Sequence, residues 1–307
     1  MNDDDDEALR QLLQELRARH YEFTVVTPAT HVRVLARRPR GSPTLRDIFG
    51  WNLPFERDAL EPTLLRLLEA ADAVETVDDQ LRSKVRVASL DGNLFLHSSF
   101  PTEQQDSVFF GPDTYRFVRF VRQQLSQMPS PAWILDMGAG AGAGGIIAGR
   151  LCPGSRTTLI DLNREALRFS AINAAVAGVH VEILEAGTMP SGADLVIANP
   201  PYMMDWRKRA YRDGRDMLGG AVALDWVEQA LSNLRPGGKM LLYVGAAYED
   251  GRAPLLDAVR AACDEAKATV SVEELDPDVF GEELEMPDYS TVERIAAVGA
   301  VITTASR

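Results

Sequence analysis

The sequence predicts an α/β protein in which a doubly wound sheet follows a smaller α+β module of winged-helix-like pattern. The chain has 307 residues, which is enough for two domains of ordinary size. Residues 1–105 combine helical leucine spacing with a hairpin signal, whereas residues 106–307 alternate short apolar strands with amphipathic helices. We therefore expect two domains with a boundary at residue 105, the first of which recognises a substrate or partner and performs no chemistry.

Two signals predict the N-terminal module. Leucines recur at helical spacing over Arg57–Ala71, which favours an amphipathic helix. Asp91 and Gly92 then separate two strand-prone runs, Val85–Leu90 and Asn93–Ser99, and an Asp-Gly pair in that position is typical of a two-residue hairpin. Helices followed by a hairpin give the winged-helix-like pattern.

The charge balance argues against a general affinity for nucleic acid. The chain has 45 acidic residues against 32 Lys and Arg, a formal net charge of −13, so no global basic field attracts phosphate. The basic passage 37–43 is either a solvated loop or a local contact for a partner or phosphate. Cys152 and Cys263 lie too far apart in sequence for a metal knuckle, so we expect no metal. An acidic N-terminus and the absence of a long apolar run predict a cytoplasmic protein without a membrane partner.

Apolar runs in the second part of the chain predict the strands of the sheet. They are Ala132–Asp136, Thr157–Asp161, Ala193–Ala198 and Lys239–Val244. The first three each end at a polar residue or motif. Because ligands of open α/β sheets bind beyond the carboxyl ends of the strands, we expect these three endings to converge on one site.

The first ending is the run ILDMGAGAGAGGI, whose glycines let the backbone approach a ligand without a Cβ in the way. It fits an Asp-x-Gly-x-Gly-x-Gly pattern led by Asp136, or the dinucleotide fingerprint Gly140, Gly142 and Gly145. In both patterns Asp161, at the end of the next strand, can accept hydrogen bonds from the two hydroxyls of a ribose. The candidate cofactor-binding residues at this edge are Asp136, Gly138, Gly140, Gly142, Asp161, Leu162 and Asn163.

The third ending, Asn199-Pro200-Pro201-Tyr202, favours the first pattern. Consecutive prolines end strand pairing and hold a rigid, extended turn. There the Asn199 side-chain carbonyl and the Pro200 main-chain carbonyl can accept both hydrogens of a planar NH2 group, while the Tyr202 ring stacks on its face. Such a grip turns the nitrogen lone pair toward an electrophile. We therefore expect Asn199, Pro200 and Tyr202 to be catalytic, and Asn199 to border the cofactor as well.

The glycine loop, Asp161, Asn173 and the Asn199–Tyr202 tetrad, in this order, resemble the motifs of class I S-adenosylmethionine-dependent methyltransferases of the NPPY subgroup. This subgroup includes HemK-like enzymes, which methylate a glutamine in protein release factors, and N6-adenine methyltransferases. The resemblance covers residues 106–245. It implies a Rossmann-like fold, S-adenosylmethionine as the cofactor, and transfer of its methyl group to a planar nitrogen.

The resemblance also implies further cofactor contacts. Phe110–Thr114 is similar to the proline-containing segment that these enzymes place before the first strand, where it closes over the cofactor, and this assigns Thr114 to the site. Many relatives carry an acidic residue near the adenine amino group, after the third strand of the family's sheet, and Glu185 and Ala186 lie at the corresponding position here.

The acceptor is predicted to be a glutamine-type protein amide or a small molecule, with N6 of adenine in RNA or DNA as the alternative. The acidic stretch Glu273–Tyr289 has eight carboxylates and no basic residue, and is either a solvated loop or a substrate-side lid that favours a cationic acceptor. A basic cluster after the tetrad would instead meet phosphate or carboxylate; it comprises Arg207, Lys208, Arg209, Arg212 and Arg215. Two other classes stay open: an NAD-dependent oxidoreductase, which leaves the tetrad without a role, and a non-catalytic binding module.

Overall fold

The structure is a computed structural model that describes residues 3–37, 43–102, 104–205, 208–209 and 211–306. Residues 38–42 of the basic passage, and Arg207 of the basic cluster, lie outside the described residues. The N-terminal module combines helices with β-hairpins, and its elements are α1 Asp3–Ala18, α2 Pro28–Ala36, α3 Pro62–Ala70, β1 Val74–Val77, β2 Gln80–Ser83, β3 Val85–Leu90 and β4 Asn93–Ser98.

The α+β character predicted for this module is confirmed. β3 and β4 pair antiparallel, and Asp91 and Gly92 between them have φ values of 50° and 71°, the left-handed values of a type I′ turn. The helix predicted from residue 57 begins later, at Pro62, because proline fits the first turn, where its missing N–H would have no partner. The β1–β2 hairpin was not predicted, since its four-residue strands are too short and polar to give a periodic signal.

The second part of the chain forms the doubly wound sheet. Its elements are α4 Pro112–Leu125, β5 Trp133–Met137, α5 Ala143–Leu151, β6 Arg156–Asp161, α6 Arg164–Ala177, β7 Glu182–Glu185, β8 Leu195–Ala198, α7 Ala221–Asn233, β9 Lys239–Tyr248, α8 Pro254–Glu265, β10 Thr269–Asp276 and β11 Arg294–Thr303. The predicted strands are confirmed as β5, β6, β8 and β9, with ends shifted by a few residues. β7, β10 and β11 were not predicted.

The order of the strands determines where a ligand can bind at the edge of this sheet. The seven described strands of this sheet lie in the order β10-β11-β9-β8-β5-β6-β7. β11 pairs antiparallel with both of its neighbours, β9 and β10, and the other adjacent strands pair in parallel. The chain passes from β5 outward to β6 and β7, then returns to the other side of β5 as β8. The carboxyl ends of β5, β6 and β8 therefore meet at a switch point, where open α/β sheets bind their ligands.

Apolar cores lie on both faces of the sheet. One core joins α4, α5 and α6 to the N-terminal module, and the other packs α7 and α8 against the opposite face. Asn173 of α6 ties the module to the sheet: its Oδ1 accepts from Leu96 N at 2.8 Å, and its Nδ2 donates to Ala141 O at 2.9 Å. The glycine loop thus rests on a side chain that also holds β4.

Candidate active site

The glycine loop turns directly after β5. Gly138 and Gly140 have φ values of 69° and 54°, in the left-handed region that favours glycine. Gly138 N donates to Ile160 O at 2.8 Å, and Gly140 N donates to Asp161 Oδ2 at 2.9 Å. Gly142 is the N-cap residue of α5. The loop is therefore fastened to the end of β6 by its own backbone.

Asp136 lies beneath this loop. Its carboxylate is 2% exposed and accepts from Gly145 N at 2.6 Å. Burial, and to a smaller extent the charge of Asp161, raise the pKa of Asp136 to about 7, although the Gly145 hydrogen bond opposes this. Asp136 and Gly142 do not line the cavity described below. Both residues instead stabilise the glycine turn, whose other residues line the cavity.

Asp161 is fixed by two backbone donors. Oδ1 accepts from Asn163 N at 2.9 Å, and Oδ2 accepts from Gly140 N. Burial raises the pKa of Asp161, and these hydrogen bonds lower it. Each oxygen retains a lone pair, so the carboxylate can accept the two hydroxyls of a ribose. Leu162 beside it is 69% exposed, and such an apolar side chain can cover a flat ring.

The tetrad follows β8. The Asn199 Oδ1 atom is buried and has no hydrogen-bond partner among the described residues. Pro200, Pro201 and Tyr202 continue along the same wall. Thr114 faces them from α4, where its hydroxyl accepts from Gly111 N at 3.2 Å and caps the helix.

These parts enclose a cavity of about 410 Å³. It brings together Gly138, Gly140, Asp161, Leu162, Asn163, Ala186, Thr114, Asn199, Pro200 and Tyr202. Glu185 is not among the lining residues; its carboxylate pairs with Arg164 Nε at 2.9 Å. The Asp161 carboxylate can accept the ribose hydroxyls of S-adenosylmethionine, and the unpartnered Asn199 Oδ1 can accept an N–H group.

Several lining residues were missed by sequence reasoning. Asp113 stood within a recognised run, but nothing in the sequence separated it from Thr114 as a buried acid. Phe280 belongs to the acidic stretch, and its ring lies 5.8 Å from that of Tyr202 in an edge contact. Phe109 and Tyr211 stack with ring centroids 5.7 Å apart. Their separation in sequence leaves no local signal that would join them.

The acidic and basic segments meet at the acceptor side. Arg212 pairs with Glu283, and Arg209 Nη2 pairs with Asp205 Oδ1 at 2.8 Å. These pairs neutralise part of the basic cluster. Lys208 and Arg215 also line the cavity, and in the described part of the chain their side chains have no ion pair. The acidic stretch is more ordered than a loop, since it begins on β10 and continues through short 3-10 turns.

Two absences hold for the described part of the chain. It contains no group of His, Cys, Asp and Glu side chains that could hold a metal ion. None of its helices is long and apolar enough to cross a membrane.

The fold and the motifs at its switch point are similar to those of class I S-adenosylmethionine-dependent methyltransferases of the NPPY subgroup, as the sequence predicted. Residues 119–271, just under half of the chain, match the family model described as "Methyltransferase small domain".

Curated relatives that match the chain are named as methyltransferases, and a solved structure shares its fold. The chain is 30% identical over 150 residues to the release factor glutamine methyltransferase of Deinococcus radiodurans, covering 43% of this chain and 51% of the relative. It is 28% identical over 168 residues to ribosomal RNA small subunit methyltransferase C of Pseudomonas paraeruginosa, covering 54% of this chain and 44% of the relative. The chain thus spans about half the length of the curated relatives it matches. Trm5b from Pyrococcus abyssi shares the fold with a TM-score of 0.52 and 14% identity, over 92% of this chain and 79% of that one.

Proposed function

We propose that this protein transfers the methyl group of S-adenosylmethionine to a planar nitrogen of a protein glutamine-type amide or of a small molecule. The Asn199 side chain carries the proposal. Its Oδ1 is buried without a partner among the described residues, and a buried acceptor left unpaired costs about 1–3 kcal/mol. An NH2 group held between Asn199 and the Pro200 carbonyl would supply the missing donor.

The residues of this chain act mainly by positioning. Asn199 and Pro200 accept the two N–H hydrogens and so direct the nitrogen lone pair, while Tyr202 offers its ring to the planar group. S-adenosylmethionine, when bound, supplies a sulfonium methyl group that needs no further activation. The nitrogen lone pair forms the N–C bond as the C–S bond breaks with its electron pair left on sulfur, and the nitrogen then releases one proton to water.

The cofactor half of the cavity is assigned to the other sequence-predicted residues. Asp161 is proposed to hold the ribose, with Gly138 and Gly140 presenting backbone toward the cofactor. Leu162, Asn163 and Ala186 border the same half of the cavity, together with Thr114 from α4. Glu185 is proposed to contact the cofactor only from outside the cavity, because its carboxylate forms an ion pair with Arg164.

Charge supports an amide or small-molecule acceptor. The protein carries a formal net charge of −13, and Arg209 and Arg212 are already paired with carboxylates. A long phosphate backbone would approach against this field.

A base nitrogen of RNA or DNA, such as N6 of adenine, is the second candidate. The observation that favours it is the pair Lys208 and Arg215, which line the cavity without an ion pair among the described residues. A phosphate next to the methylated base could bind them. One relative is named as a ribosomal RNA methyltransferase.

The test is to incubate the protein with methyl-labelled S-adenosylmethionine and cell lysate separated into protein, RNA, DNA and small-molecule fractions. Label in protein or small molecules, on nitrogen, is the expected result. Label mainly in RNA or DNA would support the second candidate. Absence of transfer to every fraction, despite S-adenosylmethionine binding, would contradict both.

A further inference from the structure

We propose that Tyr211 is a positioning residue for the methyl acceptor, because its hydroxyl anchors the segment after the tetrad to the N-terminal module. The inference rests on the proposed function and adds to it a role for the module in building the acceptor side of the site. We call residues 208–209 and 211–219, which lie between the tetrad and α7, the acceptor loop. Tyr211 lines the same cavity as the tetrad.

The anchor is a backbone carbonyl of the N-terminal module. The Tyr211 hydroxyl donates to Thr102 O at 2.7 Å, and Arg209 Nη1 donates to the same carbonyl at 3.3 Å. Arg209 Nη1 also donates to the hydroxyl oxygen of Tyr211 at 3.2 Å. Thr102 follows β4 and lies within residues 1–105. Two donors of the acceptor loop therefore converge on one acceptor of the module.

Arg209 connects this anchor to the chain next to the tetrad. Asp205, shortly after Tyr202, is 6% exposed. Its carboxylate accepts from Arg209 N and Nε at 2.9 Å each and from Nη2 at 2.8 Å. A guanidinium held at two nitrogens by one carboxylate has a fixed orientation. The Arg209 side chain thus bridges Asp205 and the Thr102 carbonyl, and it also contacts the Tyr211 hydroxyl.

The Tyr211 ring is part of a flat wall of the cavity. Phe109 stacks on it with 5.7 Å between ring centroids and 2° between ring planes, and both rings line the cavity. A Cβ on Gly111 would lie 2.4 Å from Cζ of Phe109, so the Phe109 ring packs against the backbone at the start of α4. One ring of the wall comes from the connection between the module and α4, and the other comes from the acceptor loop. The wall therefore depends on the position of the loop.

The acceptor loop needs anchors because its backbone is strained. Positive φ values between 51° and 63° occur at four of its residues other than glycine: Lys208, Arg215, Met217 and Leu218. Such residues adopt the left-handed region only where the surrounding contacts impose it. Loss of the Tyr211 hydroxyl should therefore let the loop leave this conformation for part of the time.

This arrangement predicts a specific kinetic signature. When only a fraction of the molecules has the loop in place, the apparent affinity for the acceptor falls by that fraction, whereas the complex formed at saturation is unchanged. Removal of the Tyr211 hydroxyl should thus raise the KM for the acceptor and leave kcat nearly unchanged. The affinity for S-adenosylmethionine should not change, because Asp161 and the glycine loop hold each other without the acceptor loop.

Tyr21 provides a matched control. Its hydroxyl donates to Val87 O at 2.9 Å inside the N-terminal module, and its side chain is buried and does not line the cavity. Tyr211→Phe and Tyr21→Phe each remove one hydroxyl donor from one backbone carbonyl of the module. Only Tyr211→Phe releases the acceptor loop. A merely structural role for Tyr211 would lower stability in both variants and leave the KM for the acceptor unchanged in both.

The experiment compares wild type, Tyr211→Phe and Tyr21→Phe in the full-length protein. Methyl transfer is measured over a dilution series of the lysate fraction that accepts label, S-adenosylmethionine affinity by calorimetry, and stability by urea unfolding. We expect Tyr211→Phe to raise the acceptor KM about five-fold, with kcat and cofactor affinity within about two-fold of wild type. Tyr21→Phe should lose stability and keep the wild-type KM. An acceptor KM that is the same in Tyr211→Phe and wild type would overturn the inference, as would an equal rise in Tyr21→Phe.

A second readout needs no acceptor. Amide hydrogen exchange of residues 211–219, followed by mass spectrometry, reports on the loop, in which Gly214 N donates to Met203 O at 2.8 Å. Exchange should be several-fold faster in Tyr211→Phe than in wild type and unchanged in Tyr21→Phe. Exchange that is alike in all three proteins would show that Tyr211 does not anchor the loop, and the inference would be wrong. Faster exchange in Tyr211→Phe, with no label transferred by wild type, would count against the proposed function alone.

Discussion

The backbone N–H of Gly140 donates a 2.9 Å hydrogen bond to Oδ2 of Asp161, so the glycine loop and the acid at the end of β6 form one rigid unit. The carboxylate is partly buried and is held on both oxygens by backbone N–H groups. Preorganisation of this kind lowers the cost of binding, since little freedom is left to lose.

We expect Asp161→Ala to weaken S-adenosylmethionine binding by about ten-fold or more, because the variant removes the two proposed hydrogen bonds to the ribose and the anchor of Gly140 together. Calorimetry measures the change. Glu182→Ala is the control, since that carboxylate lies on the neighbouring strand β7 but pairs with Arg156 at the surface. Binding of NADH in place of S-adenosylmethionine would refute the assignment of the whole site.

Asn199→Ala should separate binding from chemistry. If the unpartnered Oδ1 receives an acceptor N–H, its loss should lower turnover by about two to three decades and leave cofactor affinity within a few-fold. Turnover is measured with labelled S-adenosylmethionine on the responsive lysate fraction. Near-normal turnover in this variant would show that Asn199 has no role in the transfer.

Residues close to the strand ends could be predicted from the sequence because local rules fix them. Gly140, Asp161 and the tetrad each follow an apolar strand, and parallel strands bring their carboxyl ends to one edge whatever the distance along the chain. The hairpin at Asp91 and Gly92 was equally predictable, since its turn type requires residues that tolerate positive φ.

The acceptor side could not be predicted, because it depends on contacts between distant segments. The acidic stretch that contains Glu283 favoured a cationic acceptor, and the basic cluster that contains Arg212 favoured phosphate or carboxylate. In the structure these two side chains pair with each other. Phe280 reaches Tyr202 only because β10 and β11 join the sheet beside β9, and neither strand was predicted. The strand β10 carries charged residues at exposed positions, so its periodicity is weak.

Gly245→Ala should displace Tyr202. The added Cβ would lie 2.7 Å from the ring, which is too close for both to keep their positions, so we expect turnover to fall about ten-fold or more with cofactor affinity within a few-fold. Gly299→Ala on β11 is the matched control, because its Cβ would lie 2.6 Å from the Phe120 ring, outside the site. Both variants should lose stability in urea unfolding, and only Gly245→Ala should lose turnover once folded. Equal turnover in the two would contradict the role of Gly245.

Acid should destabilise the N-terminal module through His31. This side chain is fully buried, stacks on Phe100 and lies near Arg86; burial first, then the charge of Arg86, lower its pKa to about 4. The unfolded chain, with a pKa of about 6.5 for His, binds the proton first, so stability is full above that pH and declines as the pH falls toward the folded value. Asp136 has the opposite shift, and wild type must therefore be compared with a variant.

His31→Phe keeps the ring stack and removes the titration. Relative to this variant, the free energy of unfolding of wild type should fall by about 1 kcal/mol between about pH 7.5 and about pH 5.5. Urea unfolding at the two pH values measures the difference. A constant difference would mean that His31 titrates alike in the folded and unfolded chain.

The salt dependence of methyl transfer should identify the kind of acceptor. Lys208 and Arg215 are the described cations of the basic cluster that line the cavity without an ion pair, so they are the groups that would bind phosphate next to a base. For an amide or small neutral acceptor, Lys208→Glu and Arg215→Glu should change transfer only a few-fold, with a shallow response to salt. For nucleic acid, transfer should fall steeply from low to physiological salt, and each reversal that removes a bound phosphate should flatten the slope of log affinity against log salt by about one.

Arg260→Glu on α8 is the control for total charge. This variant changes the net charge by the same amount, but Arg260 does not line the cavity and is far from the tetrad in sequence. A steep slope that the reversals at Lys208 and Arg215 abolish, and the control does not, would replace the amide acceptor with a nucleotide.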